Sequence, residues 1–363
     1  MGRVNTIIWS ILAITFGAGV VWMGTSGFKE AALALANIPR RINLTAQSSN
    51  TFPSSVSNSP SQPKVTVNDP SEVRILIGGD MMFDRYVRVL GNDHGYDWLF
   101  NDISPLMKSA DIAIANLEGP IVATSSKTVL PSGRITTVLS FAFEPAVVGA
   151  MADAGFTAVS LANNHTFNRG QAGLDETRSW LSDAGIGWFG DPLNKPGTYR
   201  IIMAKGVPIA FVGYHEFYPG LNDIISDIEK LHGQGYPVIV MAHWGDEYAT
   251  SSDALQHKIA KQMADAGATA IIGAHPHVVE NNEWIGDVPV VYSLGNLVFD
   301  QYFQPDVMHG EIAELDFSRM SDSPDGKPRA ALSGVKLHPV SYAAYSGPKP
   351  DGDTIDLAAG KLN

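Results

Sequence analysis

Five short apolar runs in this chain each end directly in residues that can bind a metal ion or move a proton. They are VRILIGG before Asp80, DIAIANL before Glu118, FTAVSLA before Asn163-Asn164-His165, PVIVMA before His243, and ATAIIGA before His275. The runs are rich in Val, Ile and Ala and are mostly continuous rather than alternating, which is typical of strands buried on both faces of a sheet. In open sheets of this kind, ligands bind at the carboxyl ends of the strands. The pattern therefore predicts an α/β fold with one shared metal site at the strand ends.

Helix-like segments alternate with these runs. Three of them, residues 144–155, 171–185 and 253–267, end in a glycine suited to a helix C-terminus. This alternation predicts an α/β domain with a largely parallel core. Residues 199–214 instead predict a hairpin that turns at Lys205-Gly206, and the later strand-like segments have no long helix between them. We therefore expect a second sheet, built from these later mixed or antiparallel strands and packed on the first.

The composition limits both the partners and the metal ligands of the protein. Its net charge is −12, from 37 acidic and 25 basic residues. Nucleic-acid-binding proteins neutralise phosphates with a basic surface, so this charge argues against a nucleic acid as partner. The chain has no cysteine. Disulfides and thiolate ligands are thereby excluded, and a bound metal must take oxygen and imidazole ligands.

An apolar stretch from Ile7 to about Met23 precedes a segment rich in Ser, Pro and Asn. Its length is at the lower limit for a membrane span and above that of a usual signal-peptide core, so we expect a signal-anchor or transmembrane segment within residues 1–28. A cleaved signal is the alternative, although the small residues Ala34-Leu35-Ala36 lie late for a cleavage site. Residues 29–71 are interpreted as a flexible linker, because Pro and Ser recur there with little to bury.

These segments set the expected organisation of the remaining chain, with a globular domain at residues 72–345 and a C-terminal tail at residues 346–363. The charges flanking the apolar stretch leave its orientation open. The short N-terminal tail, the lack of cysteine and the linker favour a domain outside the membrane. We therefore expect a single-pass protein of the cell membrane with an extracytoplasmic domain.

Two clusters carry the most specific chemical signal. In GAHPHVVE, His275 and His277 are two residues apart across Pro276, so both imidazoles can face one point. In LANNHTFNRG, Asn164 offers an amide oxygen and His165 an imidazole within one tight turn. An ordinary turn uses Asn and Gly for its geometry but has no need of the histidine. The alternative is that these are loop histidines without a shared role.

The carboxylates at the other strand ends give weaker signals. Asp80 could be a metal ligand or could cap a turn. Glu118 leaves an apolar strand two residues after Asn116, and a buried carboxylate is costly unless it is paired or metal-bound, so it is either a ligand or one partner of a salt bridge. Asp84 could belong to the site, or it could form a solvated ion pair with Arg85, which is the interpretation we favour for the arginine.

Three further histidine and amide positions complete the candidates. His243 follows a strand and could ligate as a neutral imidazole, with Glu247 as its hydrogen-bonding partner. Asn296 also lies at a strand end and is a candidate for shaping the pocket, although the pair Gly295-Asn296 is equally typical of a turn. His215 follows another strand and is a candidate for lining the cleft.

Taken in order, the motifs GDMMFDR, ANLEGPI, LANNHTFNRG, HWGDEY, IIGAHPHVVE and YSLGNLVFDQ resemble those of the CapA family of capsule and poly-γ-glutamate biosynthesis proteins. The resemblance covers about residues 72–345. The CapA family is in turn similar to the calcineurin-like metallophosphoesterases. That similarity implies a four-layer αββα sandwich with two metal ions between strand-end loops.

The resemblance also implies a role for each matched residue. One or two divalent metal ions of the Mn, Fe or Zn class are implied as cofactors. The implied ligands are Asp80 and His277 for the first ion, Glu118 as a bridge, and Asn164, His243 and His275 for the second ion, with His165 as general acid and Asn163 next to it.

The chain departs from the metallophosphoesterase pattern at two positions. The first motif of that family has a histidine where this chain has Met82, and a thioether is a poor ligand for a hard cation. Asp84 could take its place. Relatives commonly have an aspartate where this chain has Asn168. The first metal site is therefore expected to be weak, or the centre to hold a single ion.

Two functions remain open from the sequence. The first is a metal-dependent hydrolase or transferase that acts on phosphoester, phosphoanhydride or acyl bonds outside the membrane. The second is a non-catalytic subunit that binds a nascent anionic polymer and passes it outward beside the other subunits of a synthase complex. The Asn-His and His-Pro-His clusters favour the enzyme, whereas Met82 and the biosynthetic role of the family favour the binding subunit.

Overall fold

The computed structural model describes residues 72–124, 126–130, 134–136, 138–320, 329–343 and 346–357. The expected membrane segment at residues 1–28 and the expected linker at residues 29–71 lie outside the described residues. Within the described part of the chain, no helix combines the length and the apolar character that a membrane span requires.

The described residues form fifteen strands and six α-helices, with two short 3₁₀ helices at Tyr96–Phe100 and Asp306–Met308. The strands are β1 (Glu72–Met81), β2 (Ile112–Leu117), β3 (Ala158–Ser160), β4 (Gly187–Phe189), β5 (Arg200–Ala204), β6 (Val207–His215), β7 (Val238–His243), β8 (Ala270–Ala274), β9 (Asn282–Ile285), β10 (Val288–Val291), β11 (Asn296–Val298), β12 (His309–Arg319), β13 (Ala330–Ser341), β14 (Lys349–Pro350) and β15 (Ile355–Asp356). The α-helices are α1 (Arg85–His94), α2 (Ser104–Met107), α3 (Ala146–Ala154), α4 (Gly170–Asp183), α5 (Leu221–Gly233) and α6 (Ala254–Asp265).

The three helices expected from the alternation of apolar runs are confirmed as α3, α4 and α6. Local sequence explains two of their ends. Helix α3 stops at Gly155, which takes a φ of 101° that other residues rarely adopt. Helix α6 starts at Asp253, whose side chain accepts hydrogen bonds from the backbone N–H groups of Leu255 and Gln256 in a capping box.

The strands form two sheets. The nine-stranded first sheet has the order β14-β13-β12-β1-β2-β3-β4, with β11 paired to β1 and β15 paired to β13. The six-stranded second sheet has the order β5-β6-β7-β8-β10-β9. The predicted hairpin of β5 and β6 is confirmed, and Lys205 and Gly206 at its turn have φ values of 45° and 78°, as a tight two-residue hairpin turn requires.

Three clusters of buried apolar side chains separate the layers. Ile75 and Ile77 of β1 pack against Phe211 of β6 between the two sheets. The intervening Leu76 faces the other way, onto the cluster that contains the helices α1 to α4. A third cluster joins α5 and α6 to the outer face of β6, β7 and β8. The domain is therefore an α/β sandwich in which two sheets pack together and helices cover both outer faces, which confirms the predicted α/β class.

The assignment of strands to sheets differs from the expectation. We expected the five apolar runs to share one parallel sheet and the later strands to form the other. Instead β1, β2 and β3 lie in the first sheet, β7 and β8 lie in the second, and β11 to β13 return to the first. The runs resemble one another because all are buried on both faces, and that local pattern does not specify the partner strand.

The tail beyond residue 345 is part of the sheet over its described residues. Strands β14 and β15 each add two residues antiparallel to β13. They cover the free side of β13, which would otherwise expose unpaired backbone groups.

Candidate metal centre

The polar strand ends of both sheets meet at one place. Asp80 is near the end of β1 in the first sheet, whereas His243 ends β7 and His275 follows β8 in the second. The backbone N–H of His275 donates to Asp80 Oδ2 at 3.0 Å, and His243 Nδ1 lies 3.9 Å from Asp80 Oδ1. The carboxylate of Asp80 therefore joins the two sheets at this edge.

The close approach of β11 to β1 explains the two glycines before Asp80. A side-chain carbon on Gly79 would lie 1.9 Å from the carbonyl oxygen of Gly295, which is far inside contact distance. The backbone N–H of Asp80 donates to that same oxygen at 3.1 Å. Glycine at position 79 thus lets β11 lie beside β1 and brings Asn296 into register with Asp80.

Asp80, Glu118 and His277 form the first group of candidate ligands. All three are buried, and each offers one ligand atom within 4.8 Å of the other two. Asp80 Oδ2 lies 3.4 Å from His277 Nδ1, and His277 Nε2 lies 3.8 Å from Glu118 Oε1. Two carboxylates and an imidazole are suitable ligands for a divalent cation.

The environment of Glu118 indicates whether a cation fits between these three residues. Both of its carboxylate oxygens are buried, and no described residue donates a hydrogen bond to either. Burial raises the pKa of Glu118 well above its usual value, and the charge of Asp80 raises it further. A buried carboxylate without a donor is costly. A divalent cation between these carboxylates would balance their charge, so the residues present fit a metal ion.

Asp80 has the opposite shift. Burial alone would raise its pKa, but hydrogen bonding and charge at His277, the backbone N–H of His275 and the amide of Asn116 together lower it. Asn116 Nδ2 donates to Asp80 Oδ1 at 2.7 Å. The surroundings of Asp80 therefore favour its carboxylate form, whereas those of Glu118 disfavour its carboxylate form.

Asn164, His243 and His275 form the second group. His243 Nε2 lies 3.1 Å from Asn164 Oδ1 and 3.1 Å from His275 Nδ1. Ligand atoms that share one ion at about 2.1 Å are about 3.0–3.4 Å apart, so the spacing suits a common ion. Burial lowers the pKa of His275 to about 3 and that of His243 well below its usual value, which keeps both imidazoles in the neutral form that ligates metal.

The His-Pro-His turn is strained. His275 and His277 have φ values of 101° and 62°, in a region that residues other than glycine seldom occupy. Each such residue costs on the order of 1–3 kcal/mol. The strained turn allows His275 Nδ1 to reach His243 while His277 Nδ1 reaches Asp80. The strained backbone conformation thus holds both imidazoles at the centre.

A network of amide side chains connects the two loops of the first sheet. Asn163 Nδ2 donates to Asn116 Oδ1 at 3.0 Å and to the carbonyl oxygen of Leu117 at 2.9 Å. Asn163 Oδ1 accepts from the backbone N–H of His165 at 3.1 Å. Since Asn116 also donates to Asp80, Asn163 and Asn116 fix the Asn164-His165 turn relative to that carboxylate. Both are fully buried and act by positioning other residues.

His165 lies at the side of the centre. Its Nε2 is 4.0 Å from Glu118 Oε1, and its Nδ1 is 3.1 Å from Asn168 Oδ1. The ring packs on Phe141 with centroids 4.5 Å apart. Burial lowers the pKa of His165 to about 4. Because an amide oxygen only accepts, the neutral ring donates Nδ1–H to Asn168, and Nε2 presents a lone pair towards the centre.

Asp84 does not join the ligand cluster. Its carboxylate caps α1 through the backbone N–H of Arg85 at 2.7 Å. It also accepts from Ser126 Oγ at 2.6 Å, from the backbone N–H of Ala142 at 2.9 Å, and from the Thr128 hydroxyl. These donors occupy both carboxylate oxygens, so Asp84 holds a loop in place rather than substituting for the missing histidine.

Met82 and Arg85 are also explained by their contacts. Met82 is fully buried in the cluster under the helices, and its sulfur accepts from the backbone N–H of Asp84 at 3.0 Å. Arg85 forms an ion pair with Asp300 rather than with Asp84, and the pair is not solvated, since the two side chains are 16% and 3% exposed.

Asn296 and Glu247 lie in different environments. Asn296 Oδ1 is 3.0 Å from His277 Nδ1, and its Nδ2 donates to Gln301 Oε1 at 3.0 Å. It therefore orients the ring of His277. Glu247 is exposed, and its charge contributes to the raised pKa of Glu118. The ring nitrogens of His243 contact Asn116, Asn164 and His275 instead of Glu247.

Sequence reasoning missed most of the loop that supports the site. Ser126, Thr128 and Phe141 come from a segment without strand or helix pattern, and nothing local indicates that it reaches Asp84 or His165. A buried aspartate that caps a helix could have been suggested by its position directly before α1.

Comparisons with known proteins add to this geometry. The family model for the bacterial capsule synthesis protein PGA_cap matches residues 74–301. The capsule biosynthesis protein CapA of Bacillus anthracis is 30% identical over 244 residues, which cover 61% of this chain and 59% of that protein. The PGA biosynthesis protein CapA of Bacillus subtilis (strain 168) is 29% identical over 259 residues, which cover 66% of each.

The chain thus spans less than two thirds of the length of either relative. Among solved structures, the crystal structure of the protein TT1561 of Thermus thermophilus is 13% identical, with a TM-score of 0.36 over 66% of this chain and 93% of its own. A score this low does not establish a shared fold.

Proposed function

The chain belongs to the bacterial capsule synthesis protein family PGA_cap, and from this premise we propose that it is a metal-dependent hydrolase in the synthesis of an anionic capsule polymer such as poly-γ-glutamate. It would hydrolyse phosphoester, phosphoanhydride or acyl bonds in its substrate. The observation that carries the proposal is Glu118, a buried carboxylate without a donor among the described residues, with a ligand atom within 4.8 Å of those of Asp80 and His277. A purely structural centre has no reason to keep this charge unpaired.

The metal would be held by two groups of residues. Asp80 and His277 would bind one ion, Asn164, His243 and His275 a second, and Glu118 would lie between them. A divalent ion there would supply Lewis-acid polarisation of a substrate oxygen and would lower the pKa of water at the centre. As Met82 faces the core, the first group has one ligand fewer than the metallophosphoesterase pattern.

The chain's own residues would perform the remaining tasks. Asn116 and Asn163 hold the Asp80 carboxylate and the Asn164-His165 turn in a fixed arrangement. His165 lies beside the centre with its ring packed on Phe141. Its Nε2 would take up a proton and pass it to the oxygen of the leaving group. Burial of the ligands excludes bulk water, which strengthens each of these electrostatic contacts.

The cellular setting of the protein is part of the proposal. The apolar stretch within residues 1–28 would anchor the chain in the cell membrane, and the linker would hold the domain outside. The partners would be the anionic polymer or a phosphoester substrate, together with subunits of a synthase complex. Membrane fractionation and protease protection of intact cells test this arrangement, and a domain protected inside the cell would contradict it.

A turnover assay tests the proposed reaction. The purified full chain, loaded with Mn²⁺, Fe²⁺ or Zn²⁺, is assayed on generic phosphodiester and γ-glutamyl substrates. We expect turnover that a chelator removes, that Glu118→Gln abolishes, and that the exposed His232→Ala retains. Metal-loaded protein with no turnover on any of these substrates would contradict the enzyme and would favour the non-catalytic polymer-binding subunit.

A further inference from the structure

His215 is a buried imidazole at the end of β6, beside the metal centre. Strands β6 and β7 are parallel, and His215 is in register with His243. Residues in register on neighbouring strands point to the same face of a sheet. The two rings are 6.0 Å apart between centroids, so His215 is next to a candidate ligand on the same side of the second sheet.

The hydrogen bonding of His215 leaves one ring nitrogen, Nε2, with a free lone pair. Its Nδ1 lies 2.9 Å from the carbonyl oxygen of Pro192. A carbonyl oxygen only accepts, so Nδ1 carries the proton and Nε2 carries the lone pair. Nε2 is buried, and none of the described residues forms a hydrogen bond with it. Histidines that bind metal typically donate their other ring N–H to a carbonyl or carboxylate, and His215 has that arrangement.

The backbone at His215 is held rigidly. Its N–H donates to Asn194 Oδ1 at 2.9 Å, and Asn194 Nδ2 donates to the carbonyl oxygen of His215 at 2.6 Å and to that of Tyr218 at 2.8 Å. Asn194 is itself buried and has a φ of 49°, in the left-handed region that most residues other than glycine avoid. A rigid support of this kind is expected around a preorganised ligand rather than around a filler of the core.

Phe217 lies beside His215 and beside both imidazoles of the second ligand group. Its ring centroid is 5.5 Å from that of His215, 4.5 Å from that of His275 and 6.4 Å from that of His243. One half-exposed phenylalanine therefore covers all three imidazoles.

We propose that His215 Nε2 is a further protein ligand of the ion held by Asn164, His243 and His275. The metal–nitrogen bond is about 2.1 Å long, and the ring centroid lies about 1.1 Å beyond the nitrogen. Two imidazoles on opposite sides of one ion can therefore have ring centroids up to about 6.4 Å apart. The observed 6.0 Å is within this limit, with His215 and His243 at a wide angle. The inference rests on the metal centre of the proposed function, but not on its being catalytic.

The test measures metal binding instead of turnover. Apo protein of the full chain is titrated with Co²⁺, and both the affinity and the visible absorption of the bound ion are recorded. His215→Phe keeps a ring of similar size without a lone pair, and His215→Ala removes the ring. We expect both variants to bind Co²⁺ at least about 10–100-fold more weakly and to change the absorption bands. The control His232→Ala, at an exposed histidine on α5, should match the wild type.

A second measurement uses the wild-type protein and does not depend on the folding of a variant. With histidine labelled with the NMR-active nitrogen isotope and NMR-active cadmium in the site, His215 Nε2 should show direct coupling to the metal, like the ring nitrogens of His243 and His275. Absence of this coupling, or unchanged Co²⁺ affinity and absorption in His215→Phe, would overturn the inference. Metal binding through His215 without any turnover would instead contradict only the proposed function.

Discussion

Two substitutions at neighbouring carboxylates should change the stability of the metal-free protein in opposite directions. Glu118→Gln should stabilise it, whereas Asp80→Asn should destabilise it, although both remove one negative charge. The reason is that Asp80 accepts hydrogen bonds on both oxygens, while Glu118 accepts none from the described residues. Both variants should lose metal affinity, and Glu118→Gln should lose more, since a bridging carboxylate serves two ions.

The magnitudes follow from these contacts. In Asp80→Asn, the new amide NH₂ must face either the donor of Asn116 or the backbone N–H of His275, so one hydrogen bond to a charged group is lost, at about 1.5–3 kcal/mol. In Glu118→Gln, a buried charge without a donor disappears, and the penalty for such a group is about 1–3 kcal/mol. For a domain of this size, about 1 kcal/mol corresponds to a change in Tm of about 2–4 °C. The apo proteins should therefore differ from the wild type by several degrees, with opposite signs.

The effect of Glu118→Gln should also depend on pH. The pKa of Glu118 is raised well above 4.5, so its contribution to stability is present below pH 4.5 and is lost as the pH rises through the folded value. The stabilisation by Glu118→Gln should therefore grow with pH above 4.5. Asp80 has a lowered pKa, so its contribution is present above its usual value of 3.8 and is lost as the pH falls through the folded value.

Thermal unfolding in the presence of a chelator measures both variants, and calorimetric titration measures metal affinity. The matched control is Glu229→Gln on the exposed side of α5, which should leave both quantities unchanged. If Glu118→Gln lowers the Tm of the apo protein at neutral pH, Glu118 is stabilised in a way that the described contacts do not show, and the assignment of a cation to this position fails. If Asp80→Asn costs more metal affinity than Glu118→Gln, the bridging role is wrongly assigned.

Three further predictions concern proton transfer and burial. His165→Ala should leave the metal content measured by elemental analysis near normal but lower turnover by about 10²–10⁴-fold, with a smaller loss on nitrophenolate leaving groups; an emptied site would make His165 a ligand. Asn168→Asp keeps the acceptor for His165 Nδ1 and adds a charge, so it should raise the pKa of His165 by about 1–3 and, since a general acid must be protonated, move the basic limb of the pH–rate profile upward; an unmoved profile would contradict this partnership. Burial raises the pKa of Glu280 to about 7, so Glu280→Gln should stabilise the protein against denaturant above pH 7 and have little effect below pH 4.5; equal effects at both would contradict the shift.

The sequence predicted which strand-end residues lie close together better than it predicted the sheets. Each candidate ligand lies at the end of a strand or shortly after it. In the sequence, these strand ends can be recognised as apolar runs that stop at Asp, Glu, Asn or His. This is why Asp80, His243 and His275 could be placed together without knowing which strands are neighbours. The division of the runs between two sheets depends on pairing across long stretches of chain, which a local pattern does not encode.

The parts of the site that could not be predicted share a physical cause. The carboxylate of Asp84 accepts hydrogen bonds from Ser126, Thr128 and Ala142. These residues are more than forty positions away, in a segment without periodicity. The lone pair on His215 Nε2 follows from the hydrogen bond between Nδ1 and the carbonyl oxygen of Pro192, which no local sequence pattern indicates. Hydrogen-bond satisfaction is a property of the folded environment, so it can be counted in a structure but not in a sequence.

The position of β1 in its sheet has a consequence for how the protein is made. β1 is the first described strand of the chain, yet it lies between β2 and the late strands β11 and β12. During synthesis, the first sheet cannot close until residues as late as 318 have emerged, and pairing over such a separation is slow. A chain stopped before β11 would leave one side of β1 open and Asp80 without its neighbour Asn296. Uptake of the proposed metal would therefore follow the pairing of β1 with β11 and β12. An interrupted chain exposes an apolar strand edge that proteases and aggregation can act on.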